Sequence, residues 1–218
     1  GQNDYQSSIS MLQAMTNNVI PFARVPWNEP GVIMKMLDLG VLGIICPMIN
    51  SKKECQDFVS YCNYPPKGQR SFGPMRSQLI YGDNYYNSSN KNVVTLAMIE
   101  TKEAFENLDE ILSVPNLTGI YVGPGDLCSS YGLSPQFDVK SEIILSKIKI
   151  IAKKAKQNGK IAGIHNGTTK YAKEMIKLGY KFVTVSSDFR SMTSHAQDIL
   201  RNMKDLKIKK NSIKLKTY

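Results

Sequence analysis

Residues 93–127 read VVTLAMIETKEAFENLDEILSVPNLTGIYVGPGDL, and the alternation of apolar and polar runs within them decides the fold. Val93 to Ile99 is β-branched and apolar, the composition of a strand buried on both faces. Glu100 follows it directly. Ala104, Phe105, Leu108, Ile111 and Leu112 then recur at helical spacing, which makes Thr101 to Leu112 the crossover helix. Pro115 and Asn116 break the chain, and Gly119 to Val122 is a second strand running into a Gly-Pro-Gly turn and Asp126. A strand, helix, strand connection joins parallel neighbours, so Glu100 and Asp126 fall at the C-terminal ends of adjacent parallel strands. That edge is where α/β barrels keep their chemistry. Two carboxylates meeting there beside a glycine turn suit a hard divalent cation with positions left open for a substrate. From spacing alone each carboxylate has a second reading, Glu100 as an acidic residue opening a helix and Asp126 as an N-cap.

The same unit recurs on either side of this stretch. Asn3 and Asp4 offer caps to a helix through about Asn17 that turns Ile9, Leu12 and Met15 inward. Val19 to Val25 is a strand ended by Pro26. Pro30 opens a helix that carries Ile33, Met36 and Leu37 and stops at Gly40, ahead of the strand Gly43 to Met48. Further on, Ile144, Ile148, Ile151, Ala152 and Ala155 form a helical face before Gly159 and the strand Ile161 to Ile164. Ala172, Met175 and Ile176 precede Gly179 and the strand Lys181 to Val185. The sum is six parallel strands with helices outside, against the eight of a closed barrel. The interval from Cys62 to Asn92, rich in Pro, Gly, Asn and Tyr, reads as a functional excursion and not as further strands. The expectation is therefore an α/β protein of the TIM-type (β/α)8 barrel class whose first two strands are missing ahead of Gly1. Residues 1–203 would form this single domain, and 204–218 a basic, frayed tail.

Bulk properties narrow the functions. With 218 residues, of which 42% are hydrophobic and 21% charged, the chain can bury a full core. Its longest apolar run, Val41 to Ile49, is too short to cross a bilayer. The opening GQNDYQSSIS carries neither the basic nor the apolar region of a secretory signal. Cys46, Cys55, Cys62 and Cys128 make no CxxC pair, which fits reduced thiols and a cytoplasmic location. Two histidines are too few for a zinc cluster. Half of the net charge of +10 lies in the tail from Lys204 to Lys216, without basic patches interleaved with aromatics, so nucleic acid is not the expected partner.

The stretches RVPWNEP (24–30), LDLGVLGIICPMINSKKEC (37–55), YPPKGQRSFGP (64–74), MIETKEAFENLDEIL (98–112), GIYVGPGDL (119–127) and VTVSSD (183–188) resemble the HpcH/HpaI aldolase family. The likeness runs to about residue 203. It implies a TIM-type barrel, a divalent metal (Mg²⁺, Mn²⁺ or Co²⁺) and reversible aldol cleavage of a 4-hydroxy-2-oxo acid to pyruvate and an aldehyde. It also implies a homo-oligomer, often a hexamer with exchanged C-terminal helices. By resemblance, Glu100 and Asp126 are the metal ligands. Arg70 contacts the oxo group of pyruvate, and the backbone N–H groups of Gly125 and Asp126 hold its carboxylate. The family's catalytic histidine lies in an E-H motif that would precede Gly1. Asp83 is placed near a subunit contact, where it would reach a neighbour's site. His165 stands at the end of a strand, where lining the pocket and a purely structural role are both open; His195 is read as structural. Ser186, Ser187 and Asp188 end the last strand as candidates for the pocket wall, and Trp27 is expected to pack. The remaining functional readings are a lyase acting on citramalyl or malyl thioesters, a phosphoenolpyruvate-handling relative, and an inactive barrel kept as a binding module.

Overall fold

The computed structural model describes residues 3–15 and 19–203. The chain falls into two compact units divided after Val185. In the first, the Asp4 carboxylate accepts from the Ser7 N–H at 2.8 Å and starts α1 (Tyr5–Ala14). β1 (Phe22–Arg24) and α2 (Pro30–Asp38) follow, the helix capped by Glu29, which accepts from the Gly31 and Val32 N–H groups. Next come β2 (Gly43–Cys46), α3 (Lys52–Cys62), α4 (Met75–Tyr81), α5 (Tyr85–Asn92) and β3 (Val94–Ile99). Two short helices, α6 (Lys102–Glu106) and α7 (Leu108–Leu112), then lead to β4 (Gly119–Val122) and α8 (Pro124–Ser130). α9 (Glu142–Gln157), β5 (Ile161–Asn166), α10 (Thr169–Lys177) and β6 (Phe182–Val185) complete this unit, and α11 (Asp188–Asn202) forms the second. Among the described residues no helix is long and apolar enough to cross a membrane.

All six strands fall where the pattern places them, and they pair in parallel in sequence order from β1 to β6. They are six of the eight that a closed barrel would need. A flat sheet of this size would hold its outer strands roughly 24 Å apart, given spacings of ~4.8 Å. Yet the rings of Phe22 on β1 and Phe182 on β6 have centroids 4.8 Å apart, so the sheet curls until its first and last strands face each other. Inside the curl, Ile45, Leu96, Met98 and Tyr121 pack with Phe22, Val94 and Phe182. The main core lies on the other face, where Ile44, Ala97, Ile99, Ile120, Val122 and Ile164 meet the helices.

Several local readings change. The interval 62–92, read as an excursion without strands, carries two helices, α4 and α5, and 52–62 is a helix opened by a Ser51–Glu54 capping box. The crossover helix breaks at Asn107, whose side-chain amide donates to the Asn50 carbonyl oxygen at 2.8 Å instead of continuing one cylinder. On α1 no residue is fully buried: Leu12 packs partly against the core and Met15 is exposed. Trp27, expected to pack, is 59% exposed. The expectations for residues 16–18 and for the tail 204–218 lie outside the described residues.

Glycines on the inner face are required by close approach. A Cβ at Gly119 would lie 2.2 Å from the Ile161 carbonyl oxygen, a backbone atom that cannot swing aside. Gly119→Ala is therefore expected to cost about 2–3 kcal/mol and to lower Tm by roughly 4–12 °C in a thermal unfolding scan.

Candidate active site

The inward alternation that packs the curl ends in polar residues. Following the register from Phe22, Val94, Gly119, Gly163 and Phe182 toward the C-terminal edge leads to Arg24, Glu100, Gly123, His165 and Thr184. A cavity of about 450 Å³ opens there, lined among others by Arg24, Met98, Tyr121, Gly125, Asp126, Phe137 and His165. A cavity of about 510 Å³ lies instead between α1, β1 and α2; its one carboxylate, Asp4, is already engaged as the α1 cap.

Glu100 is only 1% exposed. Its Oε1 accepts from the Met48 N–H at 2.8 Å, while Oε2 is buried without a hydrogen-bond partner. Met48 delivers that N–H from φ 54°, a left-handed conformation uncommon outside glycine. Gly123 is dictated by the same carboxylate, because a Cβ there would sit 2.4 Å from Oε2. Burial pushes the Glu100 carboxyl above the usual carboxylate range; the Met48 N–H pulls it down, the Asp126 charge pushes it up and Arg24 pulls it down again. Asp126 stands in the first turn of α8, exposed, where the Gly125 and Asp126 N–H groups have no preceding helical carbonyl to reach. An acidic pair with one orphaned buried oxygen and only oxygen donors fits a hard divalent cation. Among the described residues no third Asp, Glu, His or Cys joins them.

The other expected site residues divide. Gly125, Asp126 and His165 line the cavity with Arg24, and Glu100 adjoins it through Gly123 and Asp126. Arg70 is not brought to it. Its side chain has no exposure, and its guanidinium donates to Asp38 at 2.7 Å, to the Tyr85 hydroxyl at 3.2 Å and to Ser89 at 3.1 Å while lying over the Tyr64 ring. A guanidinium enclosed this way ties α2 to α5 and is closed to a ligand from solvent. Asp83 is exposed in the turn between α4 and α5. Ser187 caps α11 by accepting from the Arg190 N–H. Arg24 is the residue that sequence reasoning missed. It ends a strand just as Glu100 does, and the same strand-end rule would have found it.

A six-stranded parallel sheet curled into a half-barrel, with a carboxylate pair, an arginine and a histidine at its C-terminal edge, defines an α/β protein with a candidate site at the strand ends. The model of the HpcH/HpaI aldolase/citrate lyase family matches residues 2–195, and the chain belongs to that family of enzymes acting on carbon–carbon bonds. It is 40% identical over 186 residues to the hydroxypyruvate/pyruvate aldolase of Rhizorhabdus wittichii, covering 85% of this chain and 74% of that protein. It is 31% identical over 205 residues to the 5-keto-4-deoxy-D-glucarate aldolase of Escherichia coli, covering 91% and 79%. The fold matches the crystal structure of a family protein from Burkholderia cenocepacia with a TM-score of 0.84 at 24% identity, covering 93% of this chain and 81% of that one.

The raised Glu100 pKa has a signed consequence for stability. The folded state binds the Glu100 proton more tightly than the unfolded state, so metal-free protein is favoured below the unfolded pKa of about 4.3 and loses that contribution as pH rises. Glu100→Gln keeps an acceptor for Met48 and removes the charge. In a chelator, its Tm should exceed that of the wild type at pH 7, and the gap should close as pH falls toward 4. A gap independent of pH would contradict the assignment.

Proposed function

We propose that this protein is a metal-dependent carbon–carbon lyase that reversibly cleaves a 4-hydroxy-2-oxo acid to an aldehyde and pyruvate or a close 2-oxo acid such as hydroxypyruvate. One observation carries the reading: a buried carboxylate oxygen of Glu100 left without a partner, facing Asp126 across a glycine that its own position requires. Glu100 and Asp126 would hold the divalent ion, commonly Mg²⁺, Mn²⁺ or Co²⁺ in the resemblance. When bound, such an ion acts as a Lewis acid toward the oxo and carboxylate oxygens of the acid.

The chain's own groups do the rest. Arg24, lining the cavity, takes the part that the resemblance gave to Arg70: its fixed charge faces the oxo oxygen, where negative charge grows as the enolate forms. The N–H groups of Gly125 and Asp126 in the first turn of α8 orient the carboxylate. Met98 and Pro135 form the apolar wall that limits water. The relatives named as pyruvate, hydroxypyruvate and keto-deoxy-glucarate aldolases support the 2-oxo acid. Buried free thiols and the family likeness support a cytoplasmic homo-oligomer.

Calorimetric titration with Mn²⁺ and deuterium exchange of the pyruvate methyl group in D₂O test this. Wild-type protein should bind the ion and catalyse exchange. Glu100→Gln and Asp126→Asn should each weaken Mn²⁺ binding by at least about 100-fold, more than loss of an outer-shell contact costs. Arg24→Ala should leave Mn²⁺ binding intact and weaken pyruvate by roughly 10- to 100-fold, the scale of a hydrogen bond to a charged group. Exchange that persists in chelator, or pyruvate binding indifferent to Arg24, would refute the reading.

A further inference from the structure

The wall of the same cavity carries a second constructed feature. His165 ends β5 on the inner face, and its Nδ1 lies 2.8 Å from the Thr184 hydroxyl. Thr184 is its register partner on β6, and the same hydroxyl bonds to the Tyr121 hydroxyl, which comes from β4. Tyr121 thus reaches over the intervening strand. It does so because its own register partner is Gly163, where a Cβ would sit 2.8 Å from the ring. Asn166 fixes the Thr184 backbone by donating to its carbonyl oxygen at 3.0 Å. On a further side the imidazole meets the Phe137 ring edge-to-face, with centroids 5.0 Å apart. The segment bearing Phe137 is tied down by Asp138, which accepts from the Gly167 and Thr168 N–H groups at 2.7 and 3.2 Å. Three strands and one loop therefore hold a single imidazole in the wall of the cavity that contains Arg24 and Asp126.

Two hydroxyls in series have a chemical property that an apolar support lacks. If Tyr121 donates to Thr184 and Thr184 donates to Nδ1, the proton of the neutral imidazole sits on Nε2; if both hydroxyls rotate, it sits on Nδ1. The ring can change from acceptor to donor without leaving its place. Burial raises the Tyr121 pKa, so the phenol keeps its proton for either arrangement. Among the charged and titratable groups on the cavity are Arg24, Tyr121 and Asp126, with Glu100 adjoining it and Asp138 on the neighbouring segment.

We propose that His165 is a proton-transfer residue of this site, with Thr184 and Tyr121 as the positioning residues that govern which of its nitrogens carries the proton. The inference rests on the lyase reading above. In cleavage, the substrate hydroxyl gives its proton to the imidazole as the bond between the hydroxyl carbon and its neighbour breaks. The electron pair stays with the carbon beside the oxo group as an enolate, and the hydroxyl carbon becomes the aldehyde. The imidazolium then returns the proton to the enolate carbon, giving pyruvate, with no oxidant or further reactant.

The test uses the protein loaded with diamagnetic Mg²⁺ for kinetics and NMR, with Mn²⁺ kept for calorimetry, and 4,5-dihydroxy-2-oxopentanoate, the adduct of pyruvate and glycolaldehyde. His165→Ala should lower kcat by about 10²- to 10³-fold, leave KM and calorimetric Mn²⁺ affinity within roughly threefold, and recover activity on addition of free imidazole. Thr184→Val should shift the acid limb of the kcat/KM pH profile and the ring ¹⁵N resonances of His165, which a residue that merely packs would not do. Should His165→Ala unfold, His165→Asn, able to keep the Thr184 hydrogen bond, takes its place with the same expected loss. If the wild type cleaves and the His165 variants cleave equally well, or Thr184→Val moves neither pH limb nor resonances, this inference falls alone. If the wild type neither binds Mn²⁺ nor cleaves, the lyase reading falls and takes this one with it.

Discussion

Large side chains pointing into the curl of the sheet face glycines across the ladder, and the rest of the structure hangs on that alternation. Phe22 lies opposite Gly43, Leu96 opposite Gly119, and Gly163 stands between Tyr121 and Phe182. A Cβ at Gly43 would come within 2.1 Å of the Phe22 ring, and one at Gly119 would strike the Ile161 carbonyl oxygen. The interior of a parallel curl is too narrow for a full side chain at every position, so small and large must alternate for the strands to close on one another. The same period of two that fills the interior continues to its open end. There it turns out Arg24, Glu100, His165 and Thr184, with Gly123 left bare beside the glutamate. Packing and site are successive layers of one pattern.

Those last layers carry costs that a purely structural end would avoid. A glutamate with 1% exposure and an unpartnered oxygen destabilises the metal-free fold. Met48 in a left-handed conformation adds backbone strain in order to aim one N–H at it. Around them the supports are fully engaged. Glu54 accepts from the Asn50 and Ser51 N–H groups, Asn107 donates to the Asn50 carbonyl oxygen, and Thr101 donates to the Asn50 side chain. The loop from Met48 to Ser51 is thus tied to the start of α6, immediately after Glu100, so the donor and the carboxylate move together. Strain and an unmet acceptor that meet at one buried carboxylate beside a cavity are what a ligand-binding role for the pair would require.

Much of this was legible in the chain because it rests on local periodicity. Six apolar runs, each fed by a helix and a breaker, gave the parallel sheet, and the rule that function sits where such runs end picked out Glu100 and Asp126. Arg24 escaped because the apolar run continues through Val25 to Pro26, which hides the charged residue within it as the last inward-facing position of the strand. Arg70 is a different case: its role rested on the YPPKGQR resemblance alone, whereas what encloses it comes from positions 32, 19 and 15 residues away, on other elements. No spacing rule shows that Asp38 will meet Arg70. α4 and α5 were hidden because their Asn, Ser and Tyr residues carry little apolar periodicity; they are held instead by contacts such as Ser77 to the Leu37 carbonyl oxygen and Arg70 to Ser89. Gly163 is a further case, since its meaning depends on a tyrosine from the neighbouring strand.

Charge balance links the residues that were read to the one that was not. Under the proposed function, two carboxylates contribute −2, the divalent ion +2 and Arg24 +1, leaving a net +1 at the strand ends before a substrate arrives. A 2-oxo acid brings −1 and neutralises the site, and a neutral ketone does not. Without Arg24 the site would be neutral when empty and negative when filled, in a cavity whose low polarity magnifies that difference. Arg24 is also among the groups that already pull the Glu100 carboxyl toward its charged form. One guanidinium therefore serves both states, stabilising the bare carboxylate before the ion binds and the oxo acid afterwards. That double duty explains why the cation at this edge is an arginine ending the first strand of the sheet, within reach of the pair, and not the arginine sealed between α2 and α5.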